Sequence, residues 1–237
     1  MKTLLVIGAS SDVGAELIKK TNNSYERIWA HYLHWNDKLE ELKTLLGEKI
    51  HFVRADLFQI PDIEYLIETI KKSEFLPDHI VFFPMTRITA QKFLKTKWEE
   101  YRSGWDLSVR SAALLSQAFL PNMKNQKHGK LLFMISSVTS NVPPKYESAY
   151  VTVKYAMLGF MKSLAAEYAG SGISINGISP DMIQTKFLSD LPHLLVMQYA
   201  ESRPQKRILM VEEIIPVFEF LLSDEANVIN GENIVIQ

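Results

Sequence analysis

The chain has 237 residues, 47% hydrophobic and 22% charged, with a formal net charge of -1. That balance is enough for a sizeable core, excludes an intrinsically disordered chain, and leaves no basic stripe of the kind a nucleic-acid partner needs. Cysteine is absent, which excludes disulfide scaffolds, thiol nucleophiles and thiolate metal centres and fits a reducing compartment.

In chain order, the first run is Lys2-Thr3-Leu4-Leu5-Val6-Ile7-Gly8. It is too short for a secretory signal, since Asp12, Glu16, Lys19 and Lys20 follow at once. No later apolar run is long enough to cross a bilayer, so the sequence predicts a cytoplasmic protein with no membrane partner. Short β-rich runs at 3–7, 27–32, 50–55, 79–83, 130–135 and 173–178 are almost continuously apolar, as strands covered on both faces must be. Between them, 13–21, 37–46, 62–72, 101–124 and 148–168 have helical character, the last stopping at Gly170-Ser171-Gly172. A helix at 211–222 and a seventh strand at 233–236 close the chain. This alternation predicts an α/β protein: a single doubly wound parallel sheet of about seven strands, helices on both faces, in one domain over 1–237. The stretch 181–207 is the least regular. With Pro180, Pro192 and Pro204 in or beside it, it is expected to form a lid over a substrate.

Three clusters carry chemistry. Gly8-Ala9-Ser10-Ser11-Asp12-Val13-Gly14 follows the first strand and opens the first helix. Small residues there let backbone N–H groups approach a pyrophosphate, although the same spacing also makes an ordinary strand-to-helix turn. Asp56, after the third strand, is placed to accept from an adenine amino group or to start a helix. Tyr150-Val151-Thr152-Val153-Lys154 puts a phenol and an ammonium at i and i+4 of one helix face. A cation beside a phenol favours the phenolate, which suits a group that protonates a carbonyl oxygen or deprotonates an alcohol. By itself such a pair is also common on helix surfaces. Ser137 ends the strand before it, where a hydroxyl can hold a substrate carbonyl or simply serve a turn.

At these residues the chain resembles the short-chain dehydrogenase/reductase family, in particular its 3-oxoacyl-carrier-protein reductase-like members. Ser137 precedes Tyr150 by 13 positions and Lys154 follows by four, the family's usual spacing. The resemblance runs the full length. It includes the glycine loop, Asp56 with Leu57 beside it, Leu120-Pro121-Asn122-Met123, Asn176-Gly177-Ile178-Ser179-Pro180, and the closing pattern of Arg207 and Asn230-Gly231-Glu232. It implies a Rossmann-type fold and an NAD(P)-dependent oxidoreductase acting on a small carbonyl or alcohol substrate, assembled as a homotetramer or homodimer. It also implies that Tyr150 is the general acid/base, that Lys154 holds the nicotinamide ribose and lowers the Tyr150 pKa, and that Ser137 orients the substrate. Gly8, Ser10, Ser11, Asp12, Val13, Gly14, Asp56, Leu57, Pro180, Ile183 and Thr185 would contact the cofactor.

Four positions depart from the family. Asp12 stands at the loop's second glycine, and Ser108 replaces the Asn that completes a water-linked proton path from Lys154. Phe82-Phe83-Pro84-Met85 replaces Asn-Asn-Ala-Gly, and Asp181 replaces a Gly. After the second strand, His31-Tyr32-Leu33-His34-Trp35-Asn36 offers no acidic residue for ribose hydroxyls. NADP is therefore favoured over NAD, with His34 a candidate contact. The changes at Ser108 and Met85 leave one alternative open, a catalytically impaired dinucleotide sensor or scaffold. Phe187, Leu188, Leu191, Leu194, Leu195, Val196, Met197 and Tyr199 would line the lid or pack it on the core.

Overall fold

The computed structural model describes residues 2–140, 142–189, 191, 193–203 and 205–237. Its elements are β1 Thr3–Ile7, α1 Asp12–Thr21, β2 Arg27–Tyr32, α2 Asp37–Leu46, β3 Ile50–Arg54, α3 Ile60–Lys71 and β4 His79–Phe82. They continue with α4 Trp98–Gly104, a π-turn Trp105–Arg110, α5 Ser111–Gln126, β5 Gly129–Met134, α6 Ser148–Glu167 and β6 Ile173–Pro180. The last are α7 His193–Ser202, α8 Val211–Leu222 and β7 Asn233–Ile236. The strands form one seven-stranded sheet in the order β3-β2-β1-β4-β5-β6-β7, every neighbouring pair parallel. The expected doubly wound sheet is present.

The continuous apolar strands follow from coverage on both faces. Alternate residues point to opposite sides of a strand. Leu4, Val6, Ile28 and Ala30 therefore pack with α1, α2 and α8, while Leu5, Ile7, Ile80 and Phe82 pack with α3, α5 and α6. Across the β4–β5 pair, Phe82 and Phe133 stack with centroids 4.8 Å apart. The strand order reverses between β1 and β4. A crevice opens above the carboxyl ends of strands at such a point, which fixes where a ligand sits.

Two sequence expectations are corrected. The helix expected at 101–124 starts earlier, at Trp98, and its hydrogen-bond ladder widens into a π-turn at 105–110 that contains Ser108. The stretch 181–207 is not irregular throughout, since it contains the ten-residue helix α7. None of that helix's described residues is buried, so it carries no apolar period to reveal it. Leu194 and Met197, expected on an inner wall, are 65% and 51% exposed. Pro192 and Pro204 lie outside the described residues.

Candidate active site

The glycine loop crosses from β1 to α1 at the switch point. Gly8 adopts φ +90°, and a Cβ on Gly14 would lie 2.4 Å from the Gly8 carbonyl oxygen. The turn is therefore closed to any side chain at 14. Ser11 caps α1, its hydroxyl accepting from the Gly14 N–H at 3.0 Å and donating to the Gly8 carbonyl at 2.7 Å. Beneath the loop lies a residue the sequence reading passed over. His31 Nδ1 accepts from the Gly8 N–H at 3.1 Å, and Nε2 sits 3.0 Å from the Ala55 carbonyl. Since a backbone N–H only donates, Nε2 must carry the ring proton, and the imidazole is neutral. Burial pushes its pKa down to about 4.

A cavity of about 540 Å³ runs from this loop across the ends of β4, β5 and β6 to residues 182–199. Ser10, Ser11, Asp12, Val13 and exposed His34 line one part of it. Ser136, Ser137, Tyr150, Lys154, Pro180 and Ile183 line another, as does Thr185. Helix α6 starts beside the end of β5, which brings the Tyr150–Lys154 face against Ser136-Ser137. The Lys154 ammonium donates to the Met134 carbonyl at 2.9 Å and sits 5.7 Å from the Tyr150 ring centroid. Burial lowers its pKa to about 7. Burial also pushes the Tyr150 phenol up to about 12, a hydrogen bond with Ser136 opposing and the Glu147 carboxylate reinforcing that shift.

The remaining expected residues are distributed as follows. Ser137 does not face Tyr150 with its hydrogen; it donates to Asp181 Oδ1 at 3.0 Å. Asp181 also accepts from the Tyr199 phenol and pairs with Arg203, so three groups from the turn after β5 and the 182–203 segment meet at one carboxylate. Ser108 is buried in the π-turn and donates to the Pro84 carbonyl at 2.9 Å and the Met85 sulfur at 3.4 Å. It is outside the cavity lining, whereas Met85 is part of it. Asp12 turns sideways. It pairs with Lys38 at 2.9 Å and accepts from the Lys186 N–H at 2.7 Å, tying the glycine loop to the segment after β6. Burial acts to raise its pKa, but those two partners outweigh it and hold the carboxyl below its ordinary value. Asp56 accepts from the Phe58 N–H at 3.0 Å in the turn before α3, and Leu57 is buried in the core. Neither lines the cavity. Among the described residues no cluster of His, Asp or Glu is arranged to hold a metal ion, and no helix is long and apolar enough to cross a membrane.

Comparison with known proteins gives the family. A family model described as enoyl-(acyl carrier protein) reductase matches residues 8–237. The oxidoreductase UcpA of Salmonella typhimurium is 28% identical over 253 residues, covering 99% of this chain and 92% of the relative. The 2-(R)-hydroxypropyl-CoM dehydrogenase of Xanthobacter autotrophicus is 30% identical over 245 residues, covering 99% and 96%. The crystal structure of L-sorbose reductase from Gluconobacter frateurii, complexed with NADPH and L-sorbose, shares the fold. Its TM-score is 0.88 at 24% identity, over 100% of this chain and 95% of that one. The chain belongs to the short-chain dehydrogenase/reductase family of NAD(P)-dependent oxidoreductases.

Proposed function

We propose that this enzyme, acting in the cytoplasm, moves a hydride between NADP(H), in preference to NAD(H), and the carbon of a small carbonyl or alcohol substrate, with Tyr150 as general acid/base. The observation that carries this reading is that Tyr150, Lys154 and the Ser136-Ser137 hydroxyls meet at one cavity, and that this cavity also reaches the glycine loop. The residues fit a dinucleotide. The Gly8–Gly14 turn carries only small side chains before the start of α1, and a helix N-terminus suits a pyrophosphate. An ammonium has three donors, and Lys154 gives one to Met134, so two are left for ribose hydroxyls. No carboxylate follows β2 before Asp37, which favours a ribose phosphate over free ribose hydroxyls; His34 and Lys38, the latter paired with Asp12, line the cavity there.

The nicotinamide, when bound, supplies or takes the hydride. In the reductive direction the phenol at Tyr150, protonated at neutral pH, hands its proton to the carbonyl oxygen as that oxygen gains charge. The substrate oxygen replaces Asp181 as the acceptor of the Ser137 hydroxyl and is held against Tyr150. Segment 181–207, anchored through Asp12–Lys186 and Asp181–Arg203, closes over it as a lid. We place homodimer or homotetramer assembly on α4–α5 and α6.

One observation favours a second reading, an impaired dinucleotide sensor: the Ser137 hydrogen is already committed to Asp181. Nicotinamide fluorescence on mixing with protein, followed by turnover against a carbonyl panel, separates the two. Tyr150→Phe is expected to lower turnover by about 100-fold or more, within the range for losing a general acid, with cofactor affinity nearly unchanged. Turnover within a few-fold of wild type would overturn the assignment. Wild-type binding without any turnover would support the sensor.

A further inference from the structure

The reading of Tyr150 as acid/base leaves one neighbouring residue without a role, and the inference here rests on that reading. Glu147 is the N-cap residue of α6, three positions before Tyr150 and seven before Lys154. Glu147 precedes the first helical residue, and its carboxylate adds to the shift of the Tyr150 phenol, so the two groups lie within electrostatic reach of one another at the same cavity. The Glu147 side chain lines the cavity yet is only 7% exposed. It makes no capping hydrogen bond to its own helix. No hydrogen bond or ion pair joins it to any described residue.

The two other buried or half-buried carboxylates of the lining are engaged. Asp12 is held by Lys38 and the Lys186 backbone, and Asp181 by Ser137, Tyr199 and Arg203. A buried carboxyl with no donor is an exception among native polar groups and calls for a partner. Burial raises the Glu147 pKa, as expected for a carboxyl with nothing to stabilise its charge. Because Glu147 and Tyr150 line the same cavity, a substrate whose reacting oxygen is bonded to the phenol can present the substituent on its next carbon to Glu147.

We propose that Glu147 is a substrate-recognition residue that accepts a hydrogen bond from a hydroxyl or ammonium carried next to the reacting carbon. The enzyme then takes hydroxylated or aminated carbonyl substrates in preference to plain ketones. The two donors are chemically separable: the amide of Glu147→Gln still accepts from a hydroxyl but no longer neutralises an ammonium.

The test uses NADPH-loaded protein and three ketones of equal heavy-atom count: hydroxyacetone, aminoacetone and butanone. Wild type is expected to show kcat/KM at least about tenfold higher for one or both donor-bearing ketones than for butanone, a difference of ~1.4 kcal/mol. Glu147→Gln is expected to keep a hydroxyacetone preference and lose one for aminoacetone. Glu147→Leu is expected to bring both ratios to about one. The ratio is the informative quantity, because any effect of the substitution on Tyr150 or on folding acts on all three ketones alike.

Binding is read in parallel as thermal stabilisation of the NADP-loaded protein by propane-1,2-diol, 1-aminopropan-2-ol and butan-2-ol. A preference for the donor-bearing alcohols that vanishes in Glu147→Leu sustains the recognition role even if no ketone is reduced. That outcome would fail the oxidoreductase reading alone. Equal treatment of all probes by wild type in both readouts, or a preference that survives in Glu147→Leu, overturns the inference.

Discussion

Gly14 shows how one missing atom shapes the site. A methyl there would meet a backbone oxygen at 2.4 Å and the Ser11 hydroxyl at 2.9 Å, and neither can retreat without moving the start of α1. Gly14→Ala is expected to destabilise the fold by ~1–3 kcal/mol, the usual range for an overpacked position, and to weaken cofactor binding by about tenfold or more. Thermal denaturation and a fluorescence titration measure the two effects. Unchanged affinity would mean that the loop need not approach the pyrophosphate closely. The same scale explains Tyr150 and Lys154. Each is pushed towards its neutral form by burial, and Lys154 is not among the groups that move the phenol here. Its lowering of the Tyr150 pKa, implied by the family resemblance, remains a proposal that belongs to the cofactor-bound state.

At the scale of elements, the segment after β6 is held by a bridge between Ile183 and Leu209 and by two carboxylates at positions where the family has glycine. Asp12 holds its near end and Asp181 its far end. Removing Asp181 frees the Tyr199 phenol and leaves the Arg203 guanidinium, only 24% exposed at its side chain, without its partner. Asp181→Ala is expected to speed amide hydrogen exchange across 193–203 and to raise KM several-fold, with a smaller change in kcat, since the seat of the proposed lid is lost while Tyr150 stays. Exchange rates identical to wild type would show that Asp181 does not anchor α7. The π-turn at 105–110 is the second element-scale feature. There Ser108 donates to the Pro84 carbonyl and the Met85 sulfur, and Met85 in turn lines the cavity.

Across the whole molecule, two buried imidazoles link folding to acidity. Burial lowers His31 to about 4 and His79 to about 3, the latter helped by the nearby cations His128 and Lys130. Both folded values lie below the ordinary 6.5. The unfolded chain therefore binds more protons below pH 6.5 or so, and stability is lost as pH falls through that window. From pH 7 to pH 5 each histidine is expected to contribute a loss of ~2 kcal/mol, read from urea midpoints at the two pH values. His79→Gln should flatten the dependence, and an unaltered slope would exclude His79 as a source. Assembly belongs to the same scale. Trp98, Trp105 and Tyr155 are 70%, 48% and 47% exposed on α4, the π-turn and α6, beside half-buried Leu114, Phe160 and Leu164. Large apolar groups on adjacent helices suit a two-fold interface. Light scattering at micromolar concentration is expected to give a dimer or tetramer mass, and a monomer would contradict it.

The amino-acid sequence by itself determined the parallel sheet, its seven strands and the Tyr150–Lys154 face. Unbroken apolar strands and the i, i+4 spacing are local consequences of coverage on both faces and of helix geometry, and local patterns survive in one dimension. It also located the glycine turn, because only glycine tolerates the backbone that Gly8 adopts. Tertiary structure alone decided the rest. Helix α7 left no apolar period because it buries none of its described residues. His31, mid-strand, became the support of Gly8 only once β1 and β2 were paired. Ser137 meets Asp181, and Asp12 meets Lys38 and Lys186, only because folding brings together partners distant in sequence. Glu147 was likewise one turn from Tyr150 in plain view. Its lack of a donor from the chain, and with it its significance, shows only in the folded protein, where Glu147 is buried at the cavity wall.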